Sequence, residues 1–565
     1  MRKSKFLVYN KTMINFDSLS LKAWVLENAD YLTNASVRKI QQPSRRELVL
    51  LLRNNGENKK LYININPEFF HVCLAEDLQR RGISIPDAAP MFCMLLRKYI
   101  QNGRIAEVRQ PFGERILEFR FEYKDALDEI NTLCLAVELM GKYSNVILYN
   151  VKTGIIIGCA HNVGEEKSKI RELAGTLPYV YPVPQDKTDI CGENFEDFKE
   201  KFNGNFDKNS VACEIANDYA YMTVSLVKQA FSALKIEKFD ENNLKKLFET
   251  LKNTSSLSDF EPAISEDFSQ FSLVKNSGFN PVNSVNQMIN DYFEFNQIQK
   301  ILKQKKLRLY AHIDTQIKKL KKQIEIFKLK LLDCEKADNY RVKGDILMMN
   351  VNENVAPILK LQNPYDGEFV EIELDERYSI VQNANRYYKL YKKTKTAVDY
   401  ASSQLEELEN QLNLLEEQRF FVEIASNLEE IEEISLEIGL KTEQSGKKEK
   451  KKQINLEMHE IGGFKVYLGK NSVQNDFLLS KVASPEDLWF HPLNMHGSHV
   501  ILKKNNSKEE IPNEVLLSCA KLAKRFSKAN QDAKIPIIYT ERKYVKKANS
   551  KIAFVTYKNE IEIYC

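Results

Sequence analysis

No uninterrupted apolar run of about 18 residues occurs in the sequence, so a membrane-spanning helix is not expected. The first residues, MRKSKFLVYNKTM, are basic but lead into no apolar stretch of signal-peptide length, so a cytoplasmic location is expected. Cysteine is sparse and dispersed. The nine positions (Cys73, Cys93, Cys134, Cys159, Cys191, Cys213, Cys334, Cys519 and Cys565) include no two within four residues, which excludes a zinc knuckle and implies no disulfide framework. An excess of one charge is also missing. With 82 Lys and Arg against 78 Asp and Glu the formal charge is +4, so any electrostatic function must reside in local patches.

What is present is length and patterning. At 565 residues the chain exceeds what one hydrophobic core supports, and roughly three or four domains are expected. The first part reads as β-rich. ELVLLLR (47–53) and KLYININ (60–66) flank Asn55-Gly56, a dipeptide that favours a two-residue hairpin turn. RIAEVRQ (104–110) and RILEFRFEY (115–123) predict a second hairpin around Pro111-Phe112-Gly113. In its second strand Leu117, Phe119 and Phe121 share one face, Ile116 and Glu118 the other. PMFCMLLRKYI (90–100) predicts a helix with Arg97 and Lys98 outward. CLAVELMGKYSNVILYN (134–150) predicts a helix, a break at Gly141 and then a strand, and EIANDYAYMTVSLVKQAFSAL (214–234) predicts a single helix.

From about residue 295 apolar positions recur at steps of three and four: Tyr310, Ile313, Ile317, Leu320, Ile324, Phe327, Leu331 and Cys334. A second run follows at Val398, Ala401, Leu405, Leu408, Leu412 and Leu415, reaching Val422 with Arg419 interrupting it. These are coiled-coil seams. The short β-like insert between them places a small module at the tip of an antiparallel helical hairpin. Helices of about 40–50 residues rise roughly 60–75 Å at 1.5 Å per residue, so the chain carries a long arm. A basic linker, TEQSGKKEKKK (442–452), precedes a final domain, 457–565, with 17 Lys and Arg against 12 Asp and Glu. The fold class expected is multidomain α+β: a β-rich N-terminal domain, a helical region, the antiparallel coiled-coil arm with its tip module, and a compact α/β C-terminal domain.

Residues 487–500, DLWFHPLNMHGSHV, hold His491, His496 and His499, three of the seven histidines. A metal centre would need three or four converging ligands, with Asp487 a candidate fourth, but SHVILK reads as a strand and no i, i+4 helical histidine pair is present. A Ser498 nucleophile would need a G-x-S-x-G elbow, which is absent. The bland reading makes Trp489 and Phe490 core and the histidines half-buried, satisfied donors. The remaining reading is RNA contact, in which rings stack on bases while Lys503, Lys504, Lys546 and Lys547 neutralise phosphates.

GKNSVQND (469–476), SPEDLWFHPLNMHGSHVIL (484–502) and YVKKANSKIAFVTY (544–557) closely resemble the C-terminal RNA-binding domain of the NFACT family. PMFCMLLRKYI, VELMGKYSNVILYN and LPYVYPVPQDK (177–187) resemble the family's N-terminal domain, and ADNYRVKGDIL (337–347) the end of its first coiled-coil helix. The resemblance implies an N-terminal tRNA-handling domain over 1–184, a helix-hairpin-helix-like region over 185–290, and the coiled coil over 291–435 with its tip module at about 348–385. A linker over 436–456 and the RNA-binding domain over 457–565 complete it.

It further implies a factor that binds a large ribosomal subunit, through its rRNA, while the subunit is obstructed by peptidyl-tRNA. There it recruits alanyl-tRNA for C-terminal alanine tailing without mRNA. Peptide-bond formation belongs to the ribosome, so the chain is expected to be no enzyme. No catalytic residue, metal or other cofactor and no membrane partner is expected, and the protein is expected to be a monomer off the ribosome. Two family positions linked with tRNA correspond to Asp17 and to the pair Glu114-Arg115, where glutamate replaces the family's aspartate. In the C-terminal domain the candidate RNA-binding residues are Lys470, Asn471, Asn475, Asp476, Asp487, Trp489, His491, Gly497, Ser498, His499, Lys546 and Lys547. His496 departs from the family pattern, which argues against a shared three-histidine metal site.

Three alternatives remain from other classes. The chain could be an RNA or tRNA adaptor without tailing, or a surface fibronectin-binding adhesin, a role for which no signal or anchor is seen. The architecture also resembles formamidopyrimidine-DNA glycosylases. Those use an N-terminal proline and commonly a four-cysteine zinc finger, and here Met1 precedes Arg2 and no such finger exists.

Overall fold

The computed structural model describes residues 16–78, 81–124, 130–166, 171–202, 207–332, 334–440, 454–504, 506, 509–529, 534–547 and 555–565. The N-terminal MRKSKFLVYNKTM, the basic run 442–452 and residues 548–554 of YVKKANSKIAFVTY lie outside the described residues. The chain divides into two compact units, Met1–Lys300 and Ile301–Cys565.

The first unit is built on a nine-stranded sheet in the order β4-β3-β2-β1-β5-β6-β7-β8-β9, with antiparallel neighbours throughout. The strands are β1 (Ser36–Ser44), β2 (Glu47–Asn54), β3 (Glu57–Asn64), β4 (His71–Ala75), β5 (Arg104–Arg109), β6 (Ile116–Lys124), β7 (Ile130–Glu138), β8 (Asn145–Asn150) and β9 (Ile156–Cys159). The β2–β3 turn is Asn55-Gly56, with φ of 49° and 85°, so two successive left-handed residues close the hairpin at the Asn54–Glu57 pair. β5 and β6 form the second hairpin, turning at Gly113 with φ 71°.

Both faces of this sheet are covered. Leu117, Phe119 and Phe121 join the larger core with Phe16, Trp24 and the helix Met91–Ile100. Ile116, Cys134, Ala136, Ile147 and Ile156 form a smaller core on the opposite face. This double burial corrects one expectation: residues 134–138 are strand, the end of β7, and not helix. Leu133, Leu135 and Val137 enter the larger core and Cys134 and Ala136 the smaller one, so every position is apolar. A strand buried on both faces loses the polar alternation that marks it in a sequence.

A second correction concerns 214–234, which forms two helices, Lys208–Asp218 and Val224–Ala233, rather than one. Thr188 takes the chain away between them. It receives the Ala220 N–H on its carbonyl and donates to the Asp218 carbonyl, both at 2.9 Å. Tyr221 then sits at φ 64°, and the Thr223 side chain caps the next helix by accepting the Leu226 N–H.

In the second unit the helix Ile380–Ile424, 45 residues long, runs antiparallel to the residues beyond 301 of the helix Val285–Leu331. Arg419 pairs with Asp314 at 2.8 Å, Glu416 with Lys321 at 3.0 Å and Glu409 with Lys328 at 3.0 Å, so partner numbers fall as the first helix advances. Arg419, which breaks the apolar seam, is therefore a cross-helix ion-pair donor lying 5.1 Å over the Tyr310 ring. The helix Cys334–Met349 and a two-stranded hairpin, Ile358–Gln362 with Phe369–Glu373, share a separate small core centred on Ile346, Leu347 and Ile372.

The C-terminal sheet has six antiparallel strands in the order Glu457–Ile461, Phe464–Leu468, Val500–Leu502, Leu488–Pro492, Pro536–Glu541 and Ile561–Tyr564. Along Leu488–Pro492 the side chains alternate. Leu488 and Phe490 pack with Cys519 and Ala523 of the helix Asn513–Arg525, while Trp489 points into an opposite core with Leu478, Leu479, Ile501, Ile538 and Val545.

Candidate RNA-handling sites

In the first unit Asp17 is the N-cap of the helix Ser18–Leu32, accepting the Ser20 N–H at 2.7 Å, and it is buried. Burial raises its pKa, opposed by that hydrogen bond and by the charge of Arg115. Arg115 leaves the β5–β6 turn with its guanidinium 5.6 Å from the Phe70 ring centre. Burial lowers its pKa, opposed by Asp17 and Glu114. Gln110 ties the elements together, donating from Nε2 to the Ser18 carbonyl at 2.8 Å and the Glu114 carbonyl at 2.7 Å. The Glu114 carboxylate accepts the Gln185 N–H at 3.4 Å. Lys187, whose pKa burial lowers while Glu114 pulls it upward, donates to the Ala216 carbonyl at 2.6 Å.

The structure thus brings Asp17, Glu114 and Arg115 together and adds Gln110, Gln185 and Lys187. Sequence reasoning missed these three because they act through backbone carbonyls and N–H groups far apart in the chain. Asp17 is committed to its helix and to Arg115, so it positions the arginine. Arg115 offers the planar, permanently charged fork that suits a phosphate or a base edge. Asp17→Ala is expected to cost about 1 kcal/mol of helix-cap stability, whereas Asp17→Asn keeps the cap and removes only the charge beside Arg115. Thermal melting should separate the two variants, and equal losses from both would reject the cap assignment.

In the C-terminal domain most of the candidate residues hold the fold. Lys470 Nζ reaches Glu430 at 2.8 Å and also pairs with Glu457. Asn471 caps the helix Ser472–Phe477 and donates to Glu433 at 2.9 Å, and Gln474 donates to the same carboxylate at 2.8 Å. Residues 470–474 therefore grip the acidic helix Leu428–Glu437. Asn475 is buried and accepts the His499 N–H at 3.1 Å. Asp487, also buried, accepts from Ser484 N–H at 2.6 Å, Lys503 Nζ at 2.7 Å and Lys504 N–H at 3.0 Å.

Trp489 is fully buried, stacked on His491 with ring centres 5.4 Å apart and edge-on to His499. A Cβ on Gly497 would lie 2.6 Å from Pro492 Cγ, and Ser498 is buried beside it. Asp476 pairs with Lys547, while Lys546 is exposed on the neighbouring strand position. Among the described residues no group of three or more His, Cys, Asp and Glu is brought together to hold a metal ion.

Burial pushes the His491 imidazole down to about 4 and the His499 imidazole well below its ordinary value. Both folded-state values lie below the unfolded one, so their contribution is complete above pH ~6.5 and is lost as pH falls towards 4. Glu417 has the opposite sign. Burial raises its carboxyl to about 8, so that contribution, complete below the ordinary carboxylate range, is lost as pH rises towards 8. The difference between wild type and His491→Gln isolates the histidine part. Amide exchange over 488–502 should accelerate on acidification from pH ~7 to ~5 in wild type and less in the variant. An identical response in both would refute the assignment.

The family model of NFACT N-terminal and middle domains matches residues 17–453, and that of the NFACT protein RNA binding domain matches residues 456–556. The Rqc2 homolog RqcH of Streptococcus suis (strain 05ZYH33) is 29% identical over 559 residues, covering 97% of each chain. The Rqc2 homolog RqcH of Bacillus subtilis (strain 168) is 24% identical over 572 residues, covering 98% of each. Among solved structures, the N-terminal part of the fibronectin/fibrinogen-binding protein from Streptococcus suis aligns at TM-score 0.41 and 24% identity, over 50% of this chain and 99% of its own. Because the two family models take up residues 17–453 and 456–556 in succession, the chain belongs to the NFACT family.

Proposed function

We propose that this protein is a ribosome-associated quality-control factor. It binds a large ribosomal subunit obstructed by peptidyl-tRNA and recruits alanyl-tRNA, and the stalled chain is extended with alanine without mRNA. The protein binds and positions tRNA, while peptidyl transfer belongs to the ribosome. The observation that carries the reading is the match to both NFACT models together with relatives covered over 97% of their length that are named Rqc2 homologs. The Asp17–Arg115–Glu114 cluster supports it as a fixed cationic fork beside two carboxylates. The helix Ile380–Ile424, at 45 residues, has a length of roughly 70 Å, suited to reaching between distant ribosomal sites. No helix among the described residues is long and apolar enough to cross a membrane, and we place the protein in the cytoplasm with rRNA and tRNA as its partners.

The test is affinity purification of the tagged protein, followed by sedimentation and sequencing of the bound tRNA. Enrichment of large subunits over whole ribosomes, with alanine tRNA dominant, is expected. A random tRNA population or no subunit enrichment would reject the reading. Glu114 in place of the family's aspartate favours one competing outcome, an adaptor that binds tRNA without tailing. Subunit and tRNA binding with no alanine tail on a stalled reporter would establish that alternative.

A further inference from the structure

A second feature of the first unit lies next to the Arg115 cluster and has no role in the reading above. It is an open groove of about 1440 Å³ over the end of β7, the turn Gly141–Tyr143, the β1–β2 turn and the segment around 180–183. Its size exceeds the roughly 300–1,000 Å³ that a small ligand fills, so an extended polymer suits it better.

The groove's lining carries four cationic side chains, Arg45, Arg46, Lys142 and Arg171, against one carboxylate, Glu138, a balance of four minus one, or +3. Glu138 is buried and neutralised by Arg171, which donates to it at 3.1 Å and through a second, shorter contact, and by Tyr179 at 2.9 Å. Arg45, Arg46 and Lys142 are exposed and make no ion pair among the described residues. The neighbouring Tyr143 ring is 67% exposed, with the Lys142 ammonium 4.9 Å from its centre. Gln42 lines the groove with only 5% exposure, and its Oε1 is buried with no hydrogen-bond partner. An exposed ring to stack on a base, free cations for phosphates and a buried acceptor for a base amine form one recognition set. A peptide has no repeating anion to match the three free cations.

The groove is continuous with the Arg115 site. Leu139 N–H donates to the Arg115 carbonyl at 2.9 Å, and the next residues in the chain, Met140 and Lys142, line the groove. A Cβ on Gly141 would lie 3.8 Å from the Phe70 ring that carries the Arg115 guanidinium. We propose that this groove binds a single-stranded RNA segment that continues from the element held at Arg115, with Arg45, Arg46 and Lys142 on its phosphates and Tyr143 under a base. The inference rests on the RNA-handling reading for the class of its occupant.

The experiment uses the full chain and a single-stranded hexauridylate carrying 4-thiouridine, measuring affinity across salt concentrations and mapping the crosslinked peptide. Crosslinks at 140–145 or 180–183 are expected. The double variant Arg45→Glu/Arg46→Glu should weaken oligonucleotide binding by about tenfold, and its log–log salt slope should fall by roughly 1.4 for two lost phosphate contacts. Tyr143→Ala should weaken binding with an unchanged slope. Wild-type affinity in the double variant, or crosslinks confined to Arg115 or to residues 456–556, would overturn the proposal. So would an extended peptide that protects the groove where no oligonucleotide crosslinks. Co-sedimentation with large subunits reports separately on the proposed function: its loss with groove binding intact rejects that function and leaves the groove standing.

Discussion

Arg115→Ala is expected to reduce the tRNA recovered with the protein by at least about tenfold while changing large-subunit co-sedimentation by less than about twofold. The guanidinium is the fixed cation of the first-unit site, held against Phe70 and flanked by Asp17 and Glu114. Its removal withdraws a planar fork from any phosphate or base edge and leaves the buried Asp17 carboxylate without its counter-charge. Arg115→Lys retains charge but not the fork, so its tRNA recovery should fall between wild type and the alanine variant. Measuring tRNA and large-subunit rRNA in the same pull-down decides the matter. Equal loss of both in Arg115→Ala would assign the residue to the fold, because a merely structural role would not separate them.

Trp489→Ala should destabilise the C-terminal domain by about 3–5 kcal/mol, the range for large-to-small changes at buried tryptophan. The ring is fully buried among Leu478, Leu479, Ile501, Ile538 and Val545, and it stacks on His491. Trp489→Phe keeps much of the apolar volume, and its indole Nε1 makes no hydrogen bond to lose, so the cost should be well below that of alanine. Amide exchange should collapse over 488–502 and 536–541 in the alanine variant and leave the nine-stranded sheet protected. Lys546→Ala, at an exposed position, should leave exchange unchanged. Full protection in Trp489→Ala would refute the packing account of the histidine-rich motif.

That motif shows how the sequence and the structure divide the explanation. DLWFHPLNMHGSHV offers three histidines to a metal, a catalytic cluster or RNA, and spacing alone leaves the three open. In the folded chain the alternation of Leu488–Pro492 sends Trp489 and His491 to one face, where burial keeps His491 and His499 neutral. The same holds for GKNSVQND: Lys470 and Asn471 look like RNA contacts until the acids Glu430 and Glu433 are seen to occupy them. Those acids lie 40 and 38 residues away in the chain, beyond any local pattern.

By itself the sequence determined the features whose causes are local. Asn55-Gly56 takes left-handed backbone at little cost and sets the register of β2 and β3. The three-and-four spacing of apolar residues lies on the helices Val285–Leu331 and Ile380–Ile424. Tertiary structure alone decided whether 134–138 would be helix or strand, since an all-apolar run satisfies either until cores close on both faces. It also decided that Asp17 would spend its carboxylate on Ser20 and Arg115, and that Gln110 would join two elements by donating to carbonyls 92 and 4 residues distant. Local propensity acts within a turn or a few helical residues, whereas burial and charge pairing are set by whatever the fold brings alongside.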